Sequence, residues 1–137
     1  MPSQPKRPHI VLIMHAPLGA AFLRCAEHVL GAVPTLHAVD VAPAEDSTAV
    51  IQRLVSQLSR PASLGQSYLF MTDLVGASPY QIAREAQQQL GSQGANIRLL
   101  TGANLSMVLK AVADTYTPVE QFAEAVLKSG QTGQVIF

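Results

Sequence analysis

The sequence predicts an α/β domain with a three-layer, doubly wound, mostly parallel open sheet of four strands. Three observations carry this. Strand-like and helix-like segments alternate almost without interruption, the pattern of repeated βαβ units. The strand segments read as apolar runs, as strands covered on both faces require. And 48% of residues are hydrophobic while 13% are charged, so 137 residues can fill one sizeable core; residues 1–137 are expected to form a single domain.

The first strand is His9-Ile10-Val11-Leu12-Ile13-Met14, with His15 just past its end. Ala16-Pro17-Leu18-Gly19 then opens a helix whose apolar stripe is Leu18, Ala21, Phe22, Cys25, Ala26 and Val29, with Pro17 suited to its first turn and Gly31 to its C-cap. Leu36 to Val41 is a second strand. A second helix opens near Glu45 and Asp46 and buries Val50, Ile51, Leu54, Val55 and Leu58, after which Arg60-Pro61-Ala62-Ser63-Leu64-Gly65 breaks the pattern. The third strand, Ser67 to Thr72, leads through Asp73 and Gly76-Ala77 to a helix begun by Ser78 and stopped by Gly91, with Ile82, Ala83, Ala86 and Leu90 facing inward. Ser78 with Gln81 has capping-box spacing. Asn96 to Thr101 is the fourth strand. Asn104 caps a short helix through Leu105, Val108, Leu109 and Val112, and Thr117-Pro118-Val119-Glu120 reads as the capping box of a last helix burying Phe122, Ala123, Val126 and Leu127. Gln134-Val135-Ile136-Phe137 is too short to stand alone as a strand and too apolar to hang in water, so it is expected to pair with something.

Nine Lys and Arg balance nine Asp and Glu, and no basic stripe appears, which argues against a nucleic-acid partner. One cysteine excludes an internal disulfide and a Cys-rich metal site, and fits a reducing compartment; Cys25 reads as a small buried hydrophobe. Lys6 and Arg7 precede an apolar stretch too short for a signal-peptide core, and no run approaches the roughly 20 residues of a membrane helix. A cytoplasmic location is expected.

The chemistry concentrates at two strand ends. In a parallel sheet, ligands gather outside the carboxyl ends of the strands. His15 and Asp73 each end a strand there, and a carboxylate on one ring nitrogen would fix the tautomer and leave the other lone pair free to attack. Turn chemistry alone also favours Asp at such a position. The N-terminus of the helix at Ser78 carries partial positive charge suited to a phosphate, which makes Thr72 and Ser78 candidate phosphoryl contacts. His9, His28 and His37 read as structural or surface residues. No Walker loop, GxGxxG, HExxH or GxSxG is present, so a phosphoryl donor other than a nucleotide is expected.

Three blocks in order carry a family resemblance over almost the whole length: Ile10-Val11-Leu12-Ile13-Met14-His15, Phe70-Met71-Thr72-Asp73-Leu74-Val75-Gly76-Ala77-Ser78-Pro79-Tyr80, and Leu100-Thr101-Gly102-Ala103-Asn104-Leu105-Ser106-Met107. The chain resembles the EIIA component of the mannose class of the bacterial phosphoenolpyruvate-dependent sugar phosphotransferase system. The resemblance implies that His15 takes a phosphoryl group from the phosphocarrier HPr through Nε2 and passes it to an EIIB protein. It implies too that Asp73 bonds His15 and that Ser78 helps hold the phosphoryl group. Neither metal nor cofactor is needed. A homodimer that exchanges a short C-terminal strand, for which Gln134 to Phe137 is the candidate, is implied as well, together with indirect association with a membrane permease.

The chain departs from the family pattern where Ala16-Pro17 replaces the Gly that commonly follows the histidine, and where Ala77 replaces the second Gly of the turn. Pro17 removes one N–H donor and stiffens the loop. With the sequence ending at Phe137, no fused EIIB domain is expected, so the acceptor would be another chain. Two other readings are the phosphotransfer subunit of a dihydroxyacetone kinase, which the Gly-Ala-Ser-Pro-Tyr turn disfavours, and a non-catalytic phosphate- or protein-binding regulatory module of the same fold.

Overall fold

The structure, a computed structural model, describes residues 7–59 and 66–137. The order is β1 (His9–His15), α1 (Leu18–Leu30), β2 (Leu36–Val41), α2 (Ser47–Leu58), β3 (Ser67–Met71), α3 (Ser78–Gly91), β4 (Asn96–Leu100), α4 (Leu105–Ala113) and α5 (Val119–Thr132). The four strands form one open sheet in the order β2-β1-β3-β4, with every pairing parallel.

The central strand shows why a continuous apolar run is needed. Successive side chains of a strand point to opposite faces. Ile10, Leu12 and Met14 of β1 join Leu69 and Met71 of β3 against Ala26 of α1, Met107, Val108 and Ala111 of α4, and Phe122, Ala123 and Val126 of α5. Val11 and Ile13 join Tyr68 and Phe70 against Val50 and Leu54 of α2 and Ile82, Ala83, Ala86 and Leu90 of α3. Each fully buried Val, Leu, Ile, Met or Phe among them contributes about 1.5–3 kcal/mol. The same alternation puts His9 and His15 on the α2–α3 side of the sheet.

Several sequence expectations are corrected. Of the α1 stripe only Ala26 is buried; Leu18 and Phe22 are half-buried, and Ala21, Cys25 and Val29 are exposed, so Cys25 is not a core residue. Helix α3 is capped by the extended residue Ala77, whose carbonyl accepts the Gln81 N–H, which leaves Ser78 as the first helical residue and not a capping-box hydroxyl. The helix runs through Gly91, and Ser92 ends it. Thr117 does not cap α5 either, because its hydroxyl donates to the Asp114 carboxylate, and Pro118 stands at the cap. Asp46 and Asn104 do cap α2 and α4, accepting from the Thr48 and Met107 N–H at 3.3 and 3.0 Å. The last four residues are exposed and form no strand within this chain. The pattern break at 60–65 and Lys6 lie outside the described residues.

Candidate functional site

Chain order reverses at β1: the connection to β2 leaves on one side and β3 docks on the other. The carboxyl ends of β1 and β3 therefore flank the switch point where open α/β sheets bind ligands. His15 is the last residue of β1, and Asp73 lies two residues beyond β3.

These two side chains meet. His15 Nδ1 lies 2.7 Å from Asp73 Oδ2, and the same oxygen accepts the His15 backbone N–H at 3.0 Å. The other oxygen, Oδ1, accepts the Leu74 N–H at 2.9 Å. Burial opposes the charge on Asp73, but the hydrogen bonds from the His15 backbone, the His15 ring and Leu74 outweigh it and hold the carboxyl below its ordinary pKa. An ionised carboxylate can only accept, so Nδ1 carries the proton, and in the neutral ring it is Nε2 that presents the lone pair. The Asp73 side chain is 10% exposed and that of His15 48%, so the aiming group is sheltered while the aimed one is reachable.

Around this pair the other candidates take different places. Thr72 is wholly buried, and its backbone is gripped by the turn after β4: its N–H donates to Leu100 O at 2.9 Å, and its carbonyl accepts from Ala103 N at 3.0 Å. Its hydroxyl has no hydrogen-bond partner. A buried orphan hydroxyl costs about 1–3 kcal/mol, so it stands out as an uncommitted donor one residue from Asp73. Ser78 is exposed at the first position of α3, where its backbone N–H and that of Tyr80 have no intrahelical acceptor; Pro79, between them, has no N–H. The turn leading there passes through Gly76 at φ 86°, a conformation that side chains other than hydrogen disfavour. The structure thus joins His15 to Asp73 directly, while Thr72 and Ser78 flank Asp73 along the chain without bonding to either.

Two features escaped the sequence. Leu74 and Val75, in the turn after Asp73, are 61% and 71% exposed, an apolar surface beside a reachable histidine. Asp40 of β2 accepts the Gly19 and Ala20 N–H groups at the start of α1, at 2.8 and 3.2 Å. The signal for the second was the absence of a capping side chain at Pro17. Among the described residues no group of three or more His, Cys, Asp or Glu gathers as a metal site, and no helix is long and apolar enough to cross a membrane.

The family model described as PTS system fructose IIA component, EIIA-man, matches residues 9–129. No curated protein matches. Among solved structures, the chain is similar to phosphotransferase system component EIIA from Streptococcus agalactiae, at TM-score 0.80 and 22% identity, covering 93% of this chain and 95% of that one. It is similar also to the mannose/sorbose specific IIA subunit from Enterococcus faecalis, at 0.83 and 19%, covering 96% of each. A third, the PTS IIA protein associated with the fucose utilization operon from Streptococcus pneumoniae, aligns at 0.76 and 18%, covering 98% and 96%. At these identities the likeness is one of fold: the four-stranded parallel sheet with its helices on both sides.

Proposed function

The chain belongs to the EIIA-man family of phosphotransferase-system components, and from that premise we propose that His15 is its phosphoryl carrier, loaded by phospho-HPr and discharged to an EIIB protein. The observation that carries the reading is the 2.7 Å contact between His15 Nδ1 and Asp73. With Nδ1–H held by the carboxylate, the Nε2 lone pair attacks the donor's phosphorus in line. A new N–P bond forms as the donor's N–P bond breaks and its electron pair returns to the donor nitrogen. Discharge to the acceptor imidazole repeats the exchange with His15 as leaving group. Such transfer depends on positioning and on donors for the equatorial oxygens. Ser78 and the free N–H groups of α3 would supply those donors, while the Thr72 hydroxyl, wholly buried, is shut off from the exposed face of His15; the exposed Leu74 and Val75 suit docking by a protein donor and acceptor.

The test is incubation with phosphoenolpyruvate, enzyme I and HPr. The intact protein is expected to gain the mass of one phosphoryl group, labile to acid and absent in His15→Ala. No gain under conditions that phosphorylate HPr would favour the non-catalytic module. The same reading includes a homodimer in the cytoplasm. Its support is that Val135, Ile136 and Phe137 are exposed while β4 is an open sheet edge, which an exchanged strand would cover. Sedimentation equilibrium is expected to give twice the chain mass, and the single mass once Gln134–Phe137 is removed.

A further inference from the structure

We propose that Asp40 is a positioning residue for the transfer at His15, holding from the neighbouring strand the loop that follows the imidazole; this rests on the phosphoryl-transfer reading above. Helix α1 begins three residues after His15, and Pro17 at its cap has no side-chain acceptor to offer the first turn. Asp40 supplies it from β2, with Oδ1 on Gly19 N–H at 2.8 Å and Oδ2 on Ala20 N–H at 3.2 Å. The next residue grips the other end of the loop, Val41 O accepting Ala16 N–H at 3.0 Å. Because Met14 pairs with Asp40 and His15 with Val41, the end of β2 fastens the chain on both sides of the Ala16-Pro17 segment.

The fit leaves no slack. A Cβ on Gly19 would stand 2.6 Å from Asp40 Oδ1 and 3.5 Å from the Ala38 Cβ, so any larger residue at position 19 forces the carboxylate out of its present place. The charge matters too. Asp40 shares the face of Met14, opposite the face of His15, and its carboxylate neutralises the positive end of α1. That leaves α3, on the side of His15, as the helix start open to an incoming phosphoryl group. Asp40 thus fixes where His15 points and removes a competing anion site beside it.

Transfer from phosphorylated HPr, resolved into kcat and KM for wild type, Asp40→Ala, Asp40→Asn and Gly19→Ala, tests this, with thermal midpoints recorded beside it. Asp40→Ala is expected to lower kcat about tenfold, as small misplacements of a reacting group do, with KM for HPr within about twofold. Asp40→Asn keeps one acceptor oxygen and is expected to recover to within about threefold of wild type. Gly19→Ala, which expels the carboxylate sterically, is expected to reproduce Asp40→Ala, and the double variant to be no slower than either. Imidazole 15N shifts give a readout independent of transfer: His15 in wild type is expected as the Nδ1–H tautomer, and in Gly19→Ala as a tautomer average. Unchanged kcat and an unchanged tautomer, with only the thermal midpoint lowered, would overturn the proposal and leave Asp40 a structural cap. If wild type itself accepts no phosphoryl group, the transfer reading fails, and the 15N spectra still decide whether Asp40 aims His15.

Discussion

Two histidine pairs stand at opposite ends of β1 on the same face of the sheet, and they differ in one respect. At the carboxyl end His15 meets a carboxylate; at the amino end His9 Nδ1 meets His37 Nε2 at 3.4 Å, the rings 5.6 Å apart with the Tyr68 ring beside them. Asp73 can only accept, so it assigns the proton of His15. A second imidazole can donate or accept, so neither ring of the His9–His37 pair assigns the other's proton. Burial first, and electrostatic repulsion from the neighbouring His9 second, lower the pKa of His37. Equal residue types thus give an imidazole whose proton is assigned at the carboxyl end of β1, and at the amino end a pair with neither proton assigned and a weakened base, His37 of β2. The partner, more than the histidine, makes the site.

The largest effect that tests this contrast is loss of phosphoryl acceptance in His15→Ala, with His9→Ala and His37→Ala within about twofold of wild type, since neither touches the aimed pair. A phosphorylated peptide containing His9 or His37 would break the contrast. Next comes Asp73→Asn, whose amide no longer dictates the proton position. Transfer is expected to slow by on the order of 10²- to 10⁴-fold, the range between loss of an orienting partner and neutralisation of a triad carboxylate. Circular dichroism should show the fold intact; an unfolded variant would make Asp73 structural.

What the sequence revealed and hid follows the same division. A strand covered on both faces must be apolar throughout, which made β1 and β3 legible, and the carboxyl ends of those strands located His15 and Asp73. Helix α3 was legible because α2 and the sheet bury its whole stripe; α1 was legible only in part, because only Ala26 of its predicted stripe is buried and Cys25 and Val29 stay in solvent. Asn104 was readable as a cap because the residue acts on its own helix, whereas the Thr117 hydroxyl is drawn to Asp114 three residues earlier. Asp40 and the His9–His37 pair were hidden for a common reason. Each acts across 20 or more residues through the β1–β2 register, and periodicity within one segment carries no information about register.

Acid separates the two ends. A base whose pKa is lowered by folding binds fewer protons folded than unfolded, so His37 contributes stability that is full above its ordinary value of 6.5 and is lost as pH falls below it. Asp73, also lowered, contributes above its ordinary 3.8 and loses that only as pH falls further. Urea midpoints of wild type are therefore expected to decline between pH 7 and 5, and His37→Gln to flatten that decline while leaving the loss below pH 4 in place. If the first decline survives His37→Gln, the amino-end pair is not its source.

The smallest expected effect asks the sharpest question, whether a carboxylate alone converts one end into the likeness of the other. His9→Asp places an acceptor-only group on the strand position that faces His37 and removes the imidazole whose repulsion helps lower its pKa. Burial of His37 remains, so the pKa is not expected to reach that of a fully paired histidine, but it should rise above the wild-type value, because an opposite charge favours the protonated ring. An NMR titration of the His37 Cε1 proton measures the change directly. A pKa that stays where it was would mean that burial and not the partner governs the amino end, and the contrast between the two ends of β1 would then lie in solvent exposure.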